Sequence, residues 1–369
     1  MPDWKALAEK AAELEEQVRA RHLFAGQILT LVVLPPEGRE DWQTGNFESN
    51  ALNTGQWLAA LSFKYAVTGD PEAARQARET ALALEHLQRV TGTDGFFARG
   101  FKRALAPSPD ERWFFFWREW HQNGEYRWLG DPSSDSLDGI MHGYAVYWEL
   151  VADAPERARV GREVDRLIGR VMRDGHRILD LDGKMTLWGN FNPYVLEENI
   201  NALEALSNLK AAAVMSGKQE YEREYQRLIR EHDYAEKAAL AKTLPHGSSP
   251  LYDDNLAHNA LWALWRWEED PKLREYYRAS VERHWIGDQA EAFPYYQIAC
   301  KHVLPEIEMN PAMWDWLARY EMPRRQVEVG GKSPESGPRQ TVTVEGGSLD
   351  GPHNWLRAYW MGRWAGLIE

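Results

Sequence analysis

Residues 50–87, NALNTGQWLAALSFKYAVTGDPEAARQARETALALEHL, hold two helical segments separated by a short turn, Thr68-Gly69-Asp70-Pro71. The first segment is apolar and aromatic on nearly all sides, whereas the second is amphipathic and rich in Arg and Glu. A helix that is apolar all round is buried, and an amphipathic helix faces water on one side. Proline at a first-turn position, followed by an acidic residue, is typical of a helix start. The stretch therefore predicts an αα-hairpin with one inner and one outer helix.

The same turn chemistry recurs at residues 152–155, 216–218 and 269–271. A period near 3.6 dominates the chain and strand-like alternation is scarce, which predicts a mainly α protein. The predicted helices cover residues 3–22, 50–67, 71–91, 135–152, 155–173, 197–215, 218–231, 233–243, 254–268, 271–284, 289–303, 311–320 and 353–367. Residues 326–345 instead predict a small β-hairpin or flap, because two runs rich in Val and Thr flank the sequence GGKSPESGP.

Consecutive hairpins of this kind predict two concentric rings of helices. We therefore expect an all-α (α/α)6 toroid that forms a single domain over residues 1–369. Four hairpins are clear, the first and last helices would close the circle, and residues 286–320 would supply a distorted pair. An open α-solenoid is the alternative, but its repeats usually have a fixed period, and here the turns come at uneven intervals. Uneven intervals favour a closed, enzyme-like ring with long loops on one face.

Charge and composition exclude several classes of protein. A net charge of −13 and the lack of a clustered Lys/Arg stripe argue against a nucleic-acid partner. No run approaches the roughly 20 apolar residues that span a bilayer, and the charged N-terminus does not resemble a signal peptide. We therefore expect a cytoplasmic protein with no membrane partner. The single cysteine, Cys300, excludes an internal disulfide and a Cys-based zinc site.

Aromatic residues are the outlier in the composition, with 18 Trp, 15 Tyr and 11 Phe. Polar residues gather where the apolar helices begin: Asn50 and Asn53 with Trp57, Asp135 and Asp138 with His142, and Asp254 with His258. Spacings of three, four and seven put these side chains on one face of each helix. Carboxylates, amides, imidazoles and indoles gathered at the mouth of a ring are suited to binding a carbohydrate.

Four stretches carry a resemblance to a known family: ALNTGQWLAALSFKYAVTGDPEAARQA, VTGTDGFFARG, SSDSLDGIMHGYAVYWELV and DDNLAHNALWAL. They span most of residues 48–285 and resemble the six-hairpin glycosidase superfamily, particularly unsaturated glucuronyl and rhamnogalacturonyl hydrolases and uncharacterised bacterial relatives. The resemblance implies a sugar-binding cleft at the mouth of the inner ring, acidic catalysis and no obligatory metal or cofactor. In those hydrolases an Asp at the start of an inner helix is the general acid/base, and Asp138 or Asp135 matches that position best.

Hydrolysis of a glycosidic bond needs one protonated carboxyl and a second carboxylate. The predicted catalytic residues are Asp138, as general acid/base, with Asp135 or Glu48 as the partner. Capping offers a second interpretation, in which Asp135 is the N-cap and Asp138 the acidic third residue of a capping box. Glycine inside a helix costs about 1 kcal/mol relative to alanine. Gly139 and Gly143 therefore indicate close approach of another helix or of a ligand, and helix packing is the favoured explanation.

Asp254 and His258 lie one turn apart and are expected to share a hydrogen bond that fixes the imidazole tautomer, although Asp254 also suits a helix N-cap. An arginine in the cleft would pair with a uronate carboxylate through its planar fork. The predicted substrate-binding residues are Asn50, Trp57, Arg99, His142, Tyr144, Trp188, Asp254, His258, His353 and Trp355. We expect no metal and no cofactor.

Three functions compete on these residues. The first is a glycoside hydrolase that acts on oligosaccharides, including those that contain uronic acids. The second is a polysaccharide lyase or sugar epimerase, in which His142 or His258 acts with Tyr144 to move a proton beside a uronate carboxylate. The third is a non-catalytic helical ring that binds glycans or protein. The sugar, the linkage and the oligomeric state are not encoded in any motif of the sequence.

Overall fold

The structure, a computed structural model, describes residues 2–34, 45–46, 48–104, 119–196, 198–242, 251–331 and 338–369. Thirteen α-helices lie within these ranges, each corresponding to a predicted helix: α1 (Trp4–Gln17), α2 (Asn50–Thr68), α3 (Pro71–Arg89), α4 (Ser134–Leu150), α5 (Ala154–Arg173), α6 (Asn199–Ser216), α7 (Gln219–His232), α8 (Tyr234–Ala239), α9 (Leu251–Trp267), α10 (Pro271–Glu291), α11 (Pro294–Val303), α12 (Ala312–Arg319) and α13 (Pro352–Trp364). A π-helical turn, Val18–His22, extends α1. The mainly α prediction is confirmed.

The predicted hairpin turns join consecutive helices as expected. Asp70, Asp153 and Asp270 cap α3, α5 and α10, and each accepts a hydrogen bond from a backbone N–H in the first turn. A proline at the first or second position fixes the backbone at the start of each of these helices. Gly69 ends α2 in the left-handed region, at φ 64°, where the absence of a Cβ removes the steric penalty.

Six helices contact one another in a closed series. Helix α2 packs against α4, α4 against α6, α6 against α9, α9 against α11, α11 against α13, and α13 returns to α2. These helices bury residues on most of their circumference, whereas α5 and α7 bury mainly one side. Helix α3 packs on α2, α5 and α7 pack on α6, and α1 packs on α13. The predicted division into buried and partly solvated helices is therefore confirmed.

The closest contact in this series joins α2 and α4. A Cβ added at Gly139 would overlap the backbone of Leu52, and one added at Gly55 would overlap the backbone of Gly139. A Cβ at Gly143 would come within 2.6 Å of the Cα of Gly55. Helix packing thus explains Gly139 and Gly143, because only glycine lets the two backbones approach so closely.

Eleven short strands form four antiparallel sheets in the described ranges. They are β1 (Leu23–Phe24), β2 (Gln27–Ile28), β3 (Leu31–Val33), β4 (Gly45–Asn46), β5 (Gly100–Arg103), β6 (Trp120–Asn123), β7 (Tyr126–Leu129), β8 (Arg177–Leu179), β9 (Met185–Asn190), β10 (Arg324–Val329) and β11 (Gln340–Gly346). The strand orders are β1-β2, β10-β11-β3-β4, β5-β7-β6 and β8-β9. The predicted β-hairpin is confirmed as β10 and β11, where Val327 pairs with Val342, although its tip, 332–337, lies outside the described residues.

The strands occupy the segments that lead into buried helices. Strands β1 to β4 precede α2, β5 to β7 precede α4, β8 and β9 precede α6, and β10 and β11 precede α13. The additional strands were not predicted, because runs of two to six residues carry too little alternation to be recognised. In the described part of the chain, no helix combines the length and apolar character needed to cross a membrane.

Candidate active site

A cleft of about 700 Å³ opens where several buried helices begin. Its walls come from the first two turns of α2, α4, α6 and α9, from strand β9, from Arg99 and from the segment before α13. The lining residues are Glu48, Ser49, Leu52, Arg99, Ser134, Asp135, Leu187, Trp188, Asn190, Glu198, Ile200, Asn201, Glu204, Asp253, Leu256, Ser348 and Leu349. The prediction that polar helix starts converge is thus supported at four helices.

Most of the charged side chains in this lining are acidic. Five carboxyl groups belong to it, those of Glu48, Asp135, Glu198, Glu204 and Asp253. The partial positive charge at a helix N-terminus favours carboxylates in the first turn, which helps to explain their concentration here. Among the lining residues, Arg99 is the sole Lys or Arg. The cleft is therefore negatively charged when its acids are ionised.

Glu204 is the most deeply buried of these acids, with 1% of its surface exposed. The amide Nδ2 of Asn201 donates a hydrogen bond of 3.1 Å to its Oε2. Its Oε1 is buried and has no hydrogen-bond partner among the described residues. Burial, followed by the negative charge of Asp138, raises the pKa of Glu204 well above its ordinary value, against the opposing effect of Asn201. The environment thus favours a protonated carboxyl.

Asp135 lies in the first turn of α4 and is partly exposed. Its Oδ1 accepts hydrogen bonds from the hydroxyl of Ser133 and, at 2.9 Å, from the backbone N–H of Ser136. The N-cap position belongs to Ser133, so the capping-box interpretation of the two aspartates is wrong. These donors hold one oxygen of the Asp135 carboxyl in a fixed position at the edge of the cleft.

Asp138 lies one turn further along α4 and is buried, outside the cleft lining. Its Oδ2 accepts a hydrogen bond of 2.8 Å from Nδ2 of Asn259, whose Oδ1 accepts one of 2.7 Å from Arg357. Burial, aided by the charge of Asp135, raises the pKa of Asp138 well above its ordinary value, while Asn259 and Arg357 oppose the shift. Asp138 is thus connected to the interior, and its ionisation is coupled to that of Glu204.

Asp253, in the first turn of α9, is partly exposed in the cleft. Its pKa is raised to about 6, first by burial and then by the negative charges of Glu198 and Asp254. A carboxyl with this pKa exchanges its proton near neutral pH, which is a property that acid/base catalysis requires. Strongly shifted carboxyls that line a cleft are candidates for functional residues.

Arg99 shapes the cleft wall through backbone contacts. Its Nε donates a hydrogen bond of 2.6 Å to the carbonyl of Asp131, and its guanidinium donates one of 2.9 Å to the carbonyl of Glu48. The Asp131 carboxylate in turn accepts a hydrogen bond of 2.9 Å from the backbone N–H of Leu187. This chain of contacts fixes the β8–β9 hairpin beside the cleft, where 57% of the surface of Trp188 is exposed. Trp188 therefore offers an indole face at the rim.

Of the thirteen predicted site residues, the cleft lining includes Glu48, Arg99, Asp135 and Trp188. The other nine are buried and outside it: Asn50, Trp57, Asp138, His142, Tyr144, Asp254, His258, His353 and Trp355. Residues four or seven positions after a helix start lie one or two turns deeper, where the helix is buried on most sides. Depth accounts for the residues further along each helix, but Asn50 and His353, in the first turns of α2 and α13, are also buried outside the lining, so the expectation that whole helix faces line the cleft is wrong.

The buried histidines and tyrosine have packing roles. His353 contacts Oδ1 of Asn53 at 2.7 Å and His142 contacts the carbonyl of Asn259 at 3.2 Å. Burial lowers the pKa of His353 and of His142 to about 3, so both rings are neutral. Burial raises the pKa of Tyr144, which is completely buried. Trp355 is also in the core, and its indole N–H donates to the carbonyl of Leu317 at 3.1 Å.

The predicted hydrogen bond between Asp254 and His258 is replaced by other pairings. Asp254 contacts Nζ of Lys242 at 2.6 Å and Nδ1 of His284 at 2.8 Å. His258 contacts Oδ2 of Asp288 at 2.7 Å. The two residues are one turn apart on α9, but neighbouring helices supply a closer partner for each.

Glu204 is the main residue that the sequence interpretation missed. It belongs to EENINALEAL, a polar start followed by an apolar helix, as at the other three clusters. Asn201 and Glu204 are three positions apart, as are Asp135 and Asp138, which the sequence analysis selected. The signal was therefore present, but no aromatic residue follows it closely. Comparison with protein-family models, with curated proteins and with solved structures gave no match.

Proposed function

We propose that this chain is a glycoside hydrolase with Glu204 as the general acid and Asp135 as the second carboxylate. The observation that carries the proposal is Glu204 itself: a buried carboxyl with a raised pKa that lines the cleft and has an oxygen, Oε1, without a partner among the described residues. Two carboxyl groups in different environments are what hydrolysis of a glycosidic bond requires.

The hydrogen bonds assign the proton of Glu204 to one oxygen. Asn201 donates to Oε2, so Oε2 serves as the acceptor and the acidic proton resides on Oε1. Since Oε1 is buried, the proposed reaction requires the Glu204 side chain to rotate into the cleft, where this proton passes to the glycosidic oxygen as the bond from that oxygen to the anomeric carbon breaks. Asp135 either removes a proton from the attacking water or bonds to the anomeric carbon first, and the configuration of the initial product distinguishes these routes.

Asp138 has a supporting role in this scheme. It does not line the cleft, and because burial raises the pKa of both carboxyls, ionisation of Asp138 and ionisation of Glu204 oppose each other. Glu48 and Asp253 remain in the lining beside the proposed pair, where Asp253 has a pKa of about 6. The pair Glu204 and Asp135 is preferred because burial favours a protonated Glu204 carboxyl, whereas Asp135 is partly exposed in the lining and its Oδ1 is held by Ser133 and Ser136.

The wider architecture agrees with this proposal. We interpret the closed series α2, α4, α6, α9, α11 and α13 as the inner ring of an (α/α)6 toroid, with the cleft at its mouth. This arrangement is also what the resemblance to six-hairpin glycosidases implies. An exposed indole, Trp188, would stack on the apolar face of a sugar ring at the rim.

The charge of the lining indicates the class of sugar. Five acids face the cleft, and both hydrogen bonds described above for Arg99 end on backbone carbonyls. A uronate carboxylate would be repelled by ionised acids at short range. We therefore propose neutral or amino-sugar oligosaccharides as substrates, in preference to uronate-containing ones.

The eliminative alternative has less support. It needs His142, His258 or Tyr144 beside the substrate, and all three are buried outside the cleft lining. An imidazole with a pKa of about 3, as for His142, is also a weak base. No observation on the described residues favours a lyase, an epimerase or a binding-only protein over the hydrolase.

Glu204→Gln provides the test. We expect turnover of neutral oligosaccharides, followed as reducing-sugar release, to fall by about 10³-fold, because loss of a general acid typically costs 10²–10⁴-fold. Aryl glycosides whose leaving group needs no protonation should lose less than about tenfold. The matched control is Glu308→Gln on the exposed surface, which should leave both rates unchanged. Equal losses on both substrates, or wild-type turnover by the variant, would contradict Glu204 as the acid.

A further inference from the structure

Three helices bring a nitrogen, an oxygen and a sulfur donor together in the interior. His258 is on α9, Asp288 on α10 and Cys300 on α11, and at most 3% of each is exposed. The Nε2 of His258 lies 2.7 Å from Oδ2 of Asp288. The Sγ of Cys300 lies 3.9 Å from that nitrogen and 3.7 Å from that oxygen.

The three donor atoms are spaced as ligands of one ion. A point equidistant from them lies about 2 Å from each, because the sides of the triangle are 2.7, 3.7 and 3.9 Å. Zinc is bound by His nitrogen and carboxylate oxygen at about 2.0–2.2 Å and by thiolate sulfur at about 2.3 Å. Placing the ion about 0.7 Å out of the plane of the three atoms, slightly away from the sulfur, would meet all three distances.

The charges of the three groups also suit a divalent cation. A thiolate and a carboxylate together carry two negative charges, which would neutralise Zn²⁺ in a site that excludes water. The second carboxylate oxygen of Asp288, Oδ1, is completely buried and has no hydrogen-bond partner in the part of the chain that the structure describes. This oxygen is a second, independent sign that a positively charged partner belongs here.

The surroundings would hold the ligands in place. Each donor sits on a helix, and the aromatic rings of Tyr296 and Tyr295 lie 5.3 and 6.4 Å from the imidazole of His258. The backbone carbonyl of Asp288 accepts a hydrogen bond of 2.5 Å from Gln297. Supporting contacts of this kind fix the orientation of metal ligands.

We propose that His258, Asp288 and Cys300 bind one structural Zn²⁺ that ties α9, α10 and α11 together beneath the cleft. Binding releases the proton of the Cys300 thiol to solvent and leaves the imidazole proton of His258 on Nδ1. The role is independent of the glycosidase proposal, since none of the three residues lines the cleft.

The test uses the untagged full-length chain, stripped with a chelator and then dialysed against Zn²⁺ or Co²⁺. We expect about one metal per chain by elemental analysis and a rise in Tm of at least about 3 °C with excess Zn²⁺. The Co²⁺ form should show a thiolate-to-cobalt charge-transfer band. Cys300 is the one cysteine of the sequence, so this band reports on Cys300 alone.

Cys300→Ser and Asp288→Asn should each weaken Zn²⁺ binding by at least about 100-fold. His232→Gln, which removes a histidine outside the cluster, should bind as the wild type does. A stoichiometry below about 0.2, or absence of the cobalt band in the folded wild-type chain, would overturn the proposal. Both measurements need no variant, so the proposal stays testable even if Cys300→Ser fails to fold.

Discussion

Two consecutive aspartates at the start of α9 face different regions of the molecule and behave in opposite ways. Asp253 faces the acidic cleft, and its pKa is raised to about 6. Asp254 faces the interior, where hydrogen bonds from His284 and Lys242 outweigh burial and lower its pKa. Both residues are aspartates at adjacent positions of one helix, so their different neighbours cause the opposite pKa shifts. Asp253 has acidic neighbours in the cleft, whereas Asp254 is paired with Lys242 and His284 in the interior.

Asp254→Asn is the largest perturbation that this comparison predicts. The variant would leave the ammonium of Lys242, whose side chain is 1% exposed, without its carboxylate. Breaking a buried ion pair in this way costs about 3–5 kcal/mol, which urea denaturation at pH 7 would measure. The matched control is Asp182→Asn, which breaks the exposed pair with Lys184 and should cost less than about 1 kcal/mol. Equal costs would show that Asp254 is not a structural ion-pair partner.

Gly139→Ala tests whether close packing of α2 against α4 holds both the cleft and the interior in place. The added Cβ would overlap the Leu52 backbone, forcing α2 and α4 apart and moving Asp135 and Asp138 with them. Overpacking of this kind costs about 1–3 kcal/mol, and calorimetric Tm values would report it. Gly169→Ala is the control, since its Cβ would meet only the ends of two side chains. A stable Gly139→Ala variant would mean that the helices separate without strain.

The comparison also explains how much could be predicted from the sequence. The hairpins were predictable, because turn signals such as Thr68-Gly69-Asp70-Pro71 are local. The convergence of helix starts was predictable in outline, and Glu48, Arg99, Asp135 and Trp188 do line one cleft. The sequence did not reveal which residues of each helix are exposed in the cleft and which are buried below it, because spacing alone does not say where the buried surface begins. Asp138 and His142 were therefore placed in the cleft although they lie in the interior.

Contacts between side chains that are far apart in the sequence could also not be predicted. His258, Asp288 and Cys300 are separated by 30 and 12 positions, which matches no short metal-binding spacing. Their juxtaposition depends on how α9, α10 and α11 pack. The expectation of no metal rested on the single cysteine, on the few histidines at ligand spacing and on the family resemblance, and the proposed zinc site challenges it through a mixed set of donors.

The pH dependence of stability should differ in sign between the two aspartates. Folded Asp253 holds its proton up to about pH 6, whereas an unfolded Asp releases it near 3.8. The folded state therefore binds more protons in this window, and stability falls as the pH rises through it. Asp254, with a lowered pKa, instead contributes stability above pH 3.8 that is lost as the pH falls through its folded pKa.

Asp253→Asn isolates the first of these effects. At pH 7 the variant should be more stable than the wild type by about 1–2 kcal/mol, allowing for solvent screening, and the gain should vanish near pH 4. Urea denaturation across pH 4–8 measures the difference. Asp315→Asn, an exposed first-turn aspartate of α12, should change stability by less than about 0.5 kcal/mol. A gain that is independent of pH would argue against a raised pKa for Asp253.

Trp188→Ala gives the smallest expected effect and examines the rim of the cleft. Because 57% of Trp188 is exposed, its removal should change Tm by less than about 2 °C. Loss of a stacking surface worth about 1 kcal/mol should raise KM for a neutral oligosaccharide about fivefold and leave kcat within twofold. Leu240→Ala, at a site 49% exposed and outside the cleft lining, should change neither constant. An unchanged KM for Trp188→Ala would mean that the indole does not contact the sugar, and the acidic wall alone would then define the site.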